Sequence, residues 1–158
     1  MPPPQDPHCA NWGVVVAQRS ELTNWASSEP RPGGGASGTI DNMTTLLILN
    51  DPPYGTERSY NALRLALALA KVEGTEVRVF LMGDAIGCAK RDQKTPDGYY
   101  NLERMLKGLV AKSIPIGACG TCMDARGFGD AELTEGVHRS SMAELAAWTL
   151  ECDRVLVF

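Results

Sequence analysis

The segment Cys119-Gly120-Thr121-Cys122 contains the residues of this chain that are best suited to covalent chemistry. A thiolate is a nucleophile, and two cysteines separated by two residues can exchange a disulfide or a sulfur atom. The same spacing supplies half of a zinc site, which Cys88, His138 or another subunit would complete. It is also compatible with two small apolar side chains in a core. Spacing alone therefore leaves three interpretations open: reactive thiols, a zinc site and inert packing.

The position of Cys119 favours chemistry, because it follows a predicted buried strand over residues 114–118. In open parallel sheets, ligands and reacting groups gather beyond the carboxyl ends of the strands. Two earlier predicted strands end just before residues 51–55 and 83–84, so these loops are expected beside Cys119. Residues 119–129 are expected to form an accessible loop. Candidate supporting residues are Tyr54, Glu57 and Arg58 after the first strand, and Arg126 in the cysteine segment itself.

Two kinds of group could lower the pKa of the Cys119 thiol: backbone amides at the start of a helix, and the guanidinium of Arg58 or Arg126. Arg126 could instead hold its loop through a salt bridge, which is the commoner use of an arginine–carboxylate pair. Glu57 opens a predicted helix, where a carboxylate is favoured by the helix dipole. Each of these residues therefore has a structural interpretation beside the functional one.

Strands and helices alternate from Met43 onward, and this alternation predicts an α/β domain with a parallel sheet covered on both faces. The first predicted helix has an apolar face wider than one sheet contact needs, which predicts burial against another subunit. Residues 141–144 (SMAE) have the pattern of a capping box. The predicted strands are 44–50, 76–82, 114–118, 136–138 and 154–158, and the predicted helices are 56–72, 83–89, 99–112 and 141–152.

Composition excludes several classes of function. The 158-residue chain has a formal charge of −4 and no basic stripe, which argues against nucleic-acid binding. Charges interrupt every apolar run well short of the ~20 residues of a membrane span. No glycine-rich phosphate loop follows the first strand, so no nucleotide or flavin cofactor is expected. The five cysteines are too few for a disulfide framework and no secretory signal is evident, so reduced thiols in the cytoplasm are expected.

Residues 1–42 differ from the remainder, because prolines punctuate them and residues 33–38 (GGGASG) have the composition of a flexible linker. We expect this leader to be disordered and the compact domain to span residues 43–158. Met43 could itself be the natural start of the protein.

Several separate motifs, in the same order along residues 43–158, resemble the DsrE/DsrF-like sulfur-relay family, and in particular its uncharacterised single-chain branch. They are NDPPYGTER at 50–58, NALRLA at 61–66, VFLMGD at 79–84, CGTCMDARG at 119–127, SMAELA at 141–146 and DRVLVF at 153–158.

This resemblance implies a three-layer α/β/α sandwich with a five-stranded parallel sheet, and assembly into homotrimers or homohexamers. It further implies a sulfurtransferase-type carrier that receives sulfur as a persulfide on one cysteine and passes it between donor and acceptor proteins. The family's carrier cysteine lies several residues before Arg-Gly, which here selects Cys119 and leaves Cys122 as a resolving thiol. The alternatives are an oligomeric binding module without catalysis, and a thiol-disulfide or zinc-binding protein.

Overall fold

The structure is a computed structural model that describes residues 43–158, so the expected disorder of residues 1–42 lies outside the described part. Five parallel strands form one sheet in the order β4-β3-β2-β1-β5, which confirms the predicted α/β architecture. The strands are β1 Met43–Leu49, β2 Thr75–Leu81, β3 Ile116–Cys119, β4 Val137–Ser140 and β5 Arg154–Val157. The helices are α1 Arg58–Leu69, α2 Leu102–Val110, α3 Gly120–Asp124 and α4 Met142–Glu151, with 3₁₀ helices at Gly83–Ala89 and Asp130–Glu132.

The centre of the sheet is the β1–β2 pair, which is in register from Met43 opposite Thr75 to Leu49 opposite Leu81. β1 ends in the apolar run LLIL and β2 in VFL, as expected of parallel strands that are buried on both faces. Leu47, Val79 and Phe80 are completely buried in the resulting core.

Helices cover the two faces unequally. α1 packs on β1 and β2 and also against α2, on one face of the sheet. The opposite face carries α4, whose Trp148 ring meets the Phe80 ring edge-on with centroids 6.1 Å apart. Arg78, two residues earlier on β2, lies over the same indole at 5.7 Å. One helix therefore covers a face that spans five strands.

Side-chain caps determine where α2 and α4 begin. Asn101 accepts a hydrogen bond from the Arg104 amide at 2.9 Å, so α2 begins at Leu102, three residues later than its predicted start. Ser141 accepts from the Glu144 amide at 3.4 Å, as the capping-box pattern predicts. The reciprocal half of that box is not formed, because the Glu144 carboxylate instead contacts Ser140 and His138.

The ends of β1 and β2 are fastened together at the carboxyl edge of the sheet, by which we mean the edge where all five strands end. The Asn50 carbonyl, just after β1, accepts hydrogen bonds from the amides of Asp84 (3.1 Å) and Ala85 (3.2 Å). Gly83, the second residue after β2, has φ +57°, and a Cβ there would be 3.3 Å from the same carbonyl oxygen. The loops after β1 and β2 therefore meet, as the sequence predicts. No helix among residues 43–158 is long and apolar enough to cross a bilayer.

A matched pair of valine truncations tests the position of the core. Val79 on β2 is completely buried, whereas Val72, in the turn after α1, is 50% exposed. We expect Val79→Ala to lower the free energy of unfolding by about 2 kcal/mol, through lost burial and a residual cavity. Val72→Ala should change it by less than about 0.5 kcal/mol. Urea denaturation of both variants measures the difference, and equal losses would contradict the described core.

Candidate functional site

Cys119 is the last residue of β3, and the chain turns directly from it into α3. The prediction of an open loop over residues 119–129 is therefore wrong in its first half. Met123 explains the difference, because its completely buried side chain anchors this short helix to the core. An apolar side chain four residues after the strand was the sequence signal for a helical turn.

The Cys119 side chain is nearly inaccessible, with 3% of its surface exposed. Burial raises the pKa of the Cys119 thiol above its ordinary value, and the neighbouring Cys122 thiol raises it further. The backbone amides of Cys122 and Thr121 act in the opposite direction, since they face the sulfur and favour its thiolate. Neither amide makes a complete capping hydrogen bond to Cys119. Burial outweighs the amides, contrary to the predicted lowering of the thiol pKa.

Cys122 lies one helical turn after Cys119 and is partly exposed. Its Sγ accepts a hydrogen bond from the Gly83 amide at 3.3 Å, which joins α3 to the end of β2. The two cysteines are therefore brought together with the second predicted loop. Both thiols are free.

Arg126 fixes this arrangement. Its Nε and Nη2 atoms donate to the Asp84 carboxylate at 3.1 and 2.7 Å, and its Nη1 donates to the Cys122 carbonyl at 3.1 Å. The side chain thus links α3 to the 3₁₀ helix after β2. Its guanidinium is engaged by a carboxylate and a carbonyl, so the contacts of Arg126 are those of an anchor.

The three predicted neighbours from the first loop make their contacts elsewhere. The Tyr54 hydroxyl donates to Gln93 at 2.9 Å, and burial raises its pKa. Arg58 lies 3.8 Å from the Asp51 carboxylate, and Glu57 is the residue before the first turn of α1. Within residues 43–158, no hydrogen bond or ion pair joins any of the three predicted neighbours to Cys119. The sequence reasoning correctly brought the loop to this edge of the sheet but did not determine the directions of its side chains.

Sequence reasoning missed Arg139, which lies on β4 beside the cysteine segment. Its Nη2 donates to Asp124 at 2.6 Å and its Nη1 to Asp130 at 3.4 Å. The same guanidinium group lies against the first residue of α3, because a Cβ on Gly120 would be only 2.9 Å from the Arg139 Nε. Arg139 therefore packs along α3 from its first residue to its last. This contact depends on the pairing of β3 with β4, which are separated along the chain, so no local sequence motif predicts it.

The residues proposed to complete a zinc site do not join the pair. Cys88 is completely buried in the 3₁₀ helix, where burial raises its pKa to about 12. The His138 ring nitrogen is 3.0 Å from the Glu144 carboxylate. Across residues 43–158, no group of three or more histidine, cysteine or acidic side chains is arranged to hold a metal ion.

The close approach of Arg139 makes Gly120 testable. A Cβ in Gly120→Ala would also lie 3.1 Å from the Ser140 carbonyl oxygen. Overpacking of this kind costs about 1–3 kcal/mol, which exceeds the gain of about 1 kcal/mol from replacing a helical glycine.

We therefore expect Gly120→Ala to lower the free energy of unfolding and to speed alkylation of Cys119 in the native protein. Gly129→Ala is the control, because the only atom near its Cβ would be a Glu132 carboxylate oxygen 3.9 Å away. Urea denaturation and a native iodoacetamide time course provide the two measurements. Identical behaviour of the two variants would show that Arg139 and β4 do not constrain the cysteine segment.

Comparison with known proteins identifies relatives over the described domain. Protein YchN of Escherichia coli strain K12 is 43% identical over 114 residues, which cover 72% of this chain and 97% of that protein. Its crystal structure superposes with a TM-score of 0.70 at 42% identity, covering 73% of this chain and 99% of the other. Sulfurtransferase TusD of Proteus mirabilis is 27% identical over 129 residues, or 74% of this chain and 99% of that protein.

The family model described as the DsrE/DsrF-like family matches residues 43–158, the same span that the five-stranded domain occupies. The fold and the relatives agree with this match, and the chain belongs to the DsrE/DsrF-like family.

Proposed function

We propose that this protein is a persulfide carrier of a sulfur relay and that Cys119 holds the transferred sulfur. The observation that carries the proposal is the position of Cys119 at the carboxyl end of β3, with the Thr121 and Cys122 amides facing its sulfur. Family membership and the relationship to a protein named sulfurtransferase support sulfur relay as the class of function.

The chemical step is a transfer of sulfane sulfur. The Cys119 thiolate attacks the outer sulfur of a donor persulfide, a new S–S bond forms, the donor's S–S bond breaks, and the donor leaves as a thiolate. An acceptor thiolate then attacks the outer sulfur of the Cys119 persulfide and releases Cys119 as a thiolate. No net oxidation accompanies either transfer.

Burial keeps the Cys119 thiol of the proposed carrier unreactive when no partner is bound. Because the pKa of Cys119 is raised, its thiol is protonated at neutral pH and reacts slowly with stray electrophiles. Transfer requires the thiolate, so we infer that proton loss accompanies opening of the site by a bound donor or acceptor. The proposed partners are therefore proteins that carry sulfur on a cysteine. Free thiols in the described domain fit a reducing compartment such as the cytoplasm.

Thiol–disulfide exchange is a second candidate. It is favoured by one observation, the position of Cys122 three residues after Cys119 across the first turn of α3. In that case an oxidised partner would leave an intramolecular disulfide, with loss of two protons and two electrons to the partner.

Intact mass after incubation with glutathione persulfide distinguishes these functions. A carrier should gain one sulfur atom, and cyanide should remove any sulfur from Cys119→Ser faster than from the wild type. Cys152→Ser is the control, because Cys152 is partly exposed just after α4 and outside the cysteine segment. Incubation with oxidised glutathione would instead give a mass lower by two hydrogens if disulfide exchange is the function. A carrier that gains no sulfur, or that keeps it equally well in Cys119→Ser, would contradict the proposal.

We further propose that the protein assembles into a homo-oligomer. The wide apolar face of α1, which predicted a subunit contact, has an intramolecular cause, because α2 packs against it. Leu67 of α1 lies close to Gly108 of α2, where a Cβ would be 3.5 Å from the leucine methyl. The surface that supports assembly lies instead on the α4 side of the sheet.

On that side the apolar surface continues beyond the helix. Val155 and Val157 on β5 pair with Leu46 and Ile48 on β1, and Ile48 pairs in turn with Phe80 on β2. The two valines therefore lie on the same face of the sheet as Phe80, which is the face that α4 covers. The two valines nevertheless remain 38% and 65% exposed. α4 itself buries Leu145 and Trp148 and turns a second apolar stripe outward. Its exposed members are Met142, Ala143, Ala146, Ala147 and Leu150.

Parallel sheets are normally covered on both faces, and a contiguous apolar surface of this kind is typical of an interface. A second copy of this chain would cover the outer face of α4 and the valines of β5. The proposed assembly is a homotrimer or a homohexamer, as the resemblance to the family implies.

A charge placed on the uncovered surface tests assembly. We expect Val157→Glu or Leu150→Glu to shift the protein to a smaller species, because an interface does not tolerate an unpaired carboxylate. Val72→Glu is the control at an exposed valine outside this surface. Light scattering after size exclusion gives the mass, and an unchanged oligomer in both test variants would exclude this surface as the interface.

A further inference from the structure

We propose that sulfur enters the site on Cys122 and is then stored on Cys119, so that the pair acts as an internal two-step relay. This inference rests on the proposed function as a persulfide carrier and assigns separate roles to the two thiols of that site.

The two thiols differ in accessibility. Cys119 has 3% of its surface exposed and is part of the hydrophobic core, whereas Cys122 is only packed against that core and is partly exposed. A sulfane sulfur on an incoming donor must meet the attacking sulfur directly, so access contributes to the rate of exchange. Of the two thiols, Cys122 is the one a donor reaches without prior opening of the core.

The pair is placed for transfer. Cys119 is the residue before the first turn of α3 and Cys122 is the third residue of that helix. The side chain of the residue before a helix faces the second and third helical residues, and Cys122 is the third residue of α3. A sulfur held on Cys122 is therefore within reach of the Cys119 sulfur after small rotations of the side chains.

The internal step is balanced. The Cys119 thiolate attacks the outer sulfur of the Cys122 persulfide, a new S–S bond forms on Cys119, and the S–S bond on Cys122 breaks with release of its thiolate. The proton that leaves Cys119 returns to Cys122, and no oxidant or reductant is consumed.

The surroundings of Cys122 suit a leaving thiolate. The Gly83 amide donates to its Sγ at 3.3 Å and so stabilises negative charge that develops on that sulfur. Arg126 holds the backbone of the same residue through the Cys122 carbonyl and is itself held by Asp84. Storage on Cys119 then moves the sulfur from an accessible position to one that solvent thiols reach poorly.

The wild-type protein gives the first test. The full chain is mixed with a limiting amount of glutathione persulfide, trapped at successive times with an alkylating agent and digested, and the added sulfur is located by mass spectrometry. We expect the sulfur on the Cys122 peptide first and on the Cys119 peptide later. Sulfur that appears first on Cys119, or that never leaves Cys122, would overturn the relay.

Variants give the second test. Cys122→Ser should load several-fold more slowly than the wild type but reach the same site, Cys119. Cys119→Ser should load at the wild-type rate and keep the sulfur on Cys122, where cyanide removes it faster. Cys152→Ser should match the wild type in all respects.

The outcomes separate this inference from the proposed function. Absence of any sulfur adduct on the wild type would reject both. Normal loading of Cys119 in Cys122→Ser would reject the relay and leave the carrier function standing. Release of hydrosulfide with formation of a Cys119–Cys122 disulfide would also reject the relay, because Cys122 would then act as a resolving thiol.

Discussion

All five strands run in the same direction, and this constraint determines where the cysteines of this protein can meet other groups. Parallel pairing places the ends of β1, β2 and β3 at one edge of the sheet. The Asn50 carbonyl fastens the first two ends together, and the Gly83 amide fastens the second to Cys122. The Cys122 thiol, which lies 39 residues from Gly83 along the chain, thereby becomes its neighbour.

Burial and nearby backbone amides have opposite effects on the pKa of Cys119. The apolar packing that holds α3 against the core also desolvates Cys119 and raises its pKa, while the amides of the next turn favour the thiolate. Arg126 and Arg139 lie on opposite sides of α3 and pair with carboxylates, so neither guanidinium pairs with the sulfur of Cys119. These contacts hold α3 in place, and the burial of Cys119 is compatible with its proposed role as a sulfur carrier.

The sequence was informative wherever one residue type served one local purpose. The apolar runs of β1 and β2, the capping box at Ser141, and the alternation of elements predicted the fold and most boundaries within a few residues. It was less informative at residues 119–129, where glycine and polar residues indicated a loop and the burial of Met123 produced a helical turn. Tyr54, Glu57 and Arg58 follow β1 as predicted, but Tyr54 donates to Gln93 and Arg58 lies near Asp51. Among residues 43–158, no hydrogen bond or ion pair joins the three to Cys119.

The sequence by itself determined the chemistry that is available: a Cys-x-x-Cys pair directly after a buried strand, on a parallel α/β scaffold. Tertiary structure alone decided which thiol is sheltered and which is accessible, and that Arg139 lies against Gly120. It also decided that the uncovered apolar surface lies on α4 and β5 and not on α1. The physical reason is that local residue patterns reveal the secondary structure and the reactive groups. Burial, pKa and side-chain direction instead depend on groups that the chain brings together from distant positions.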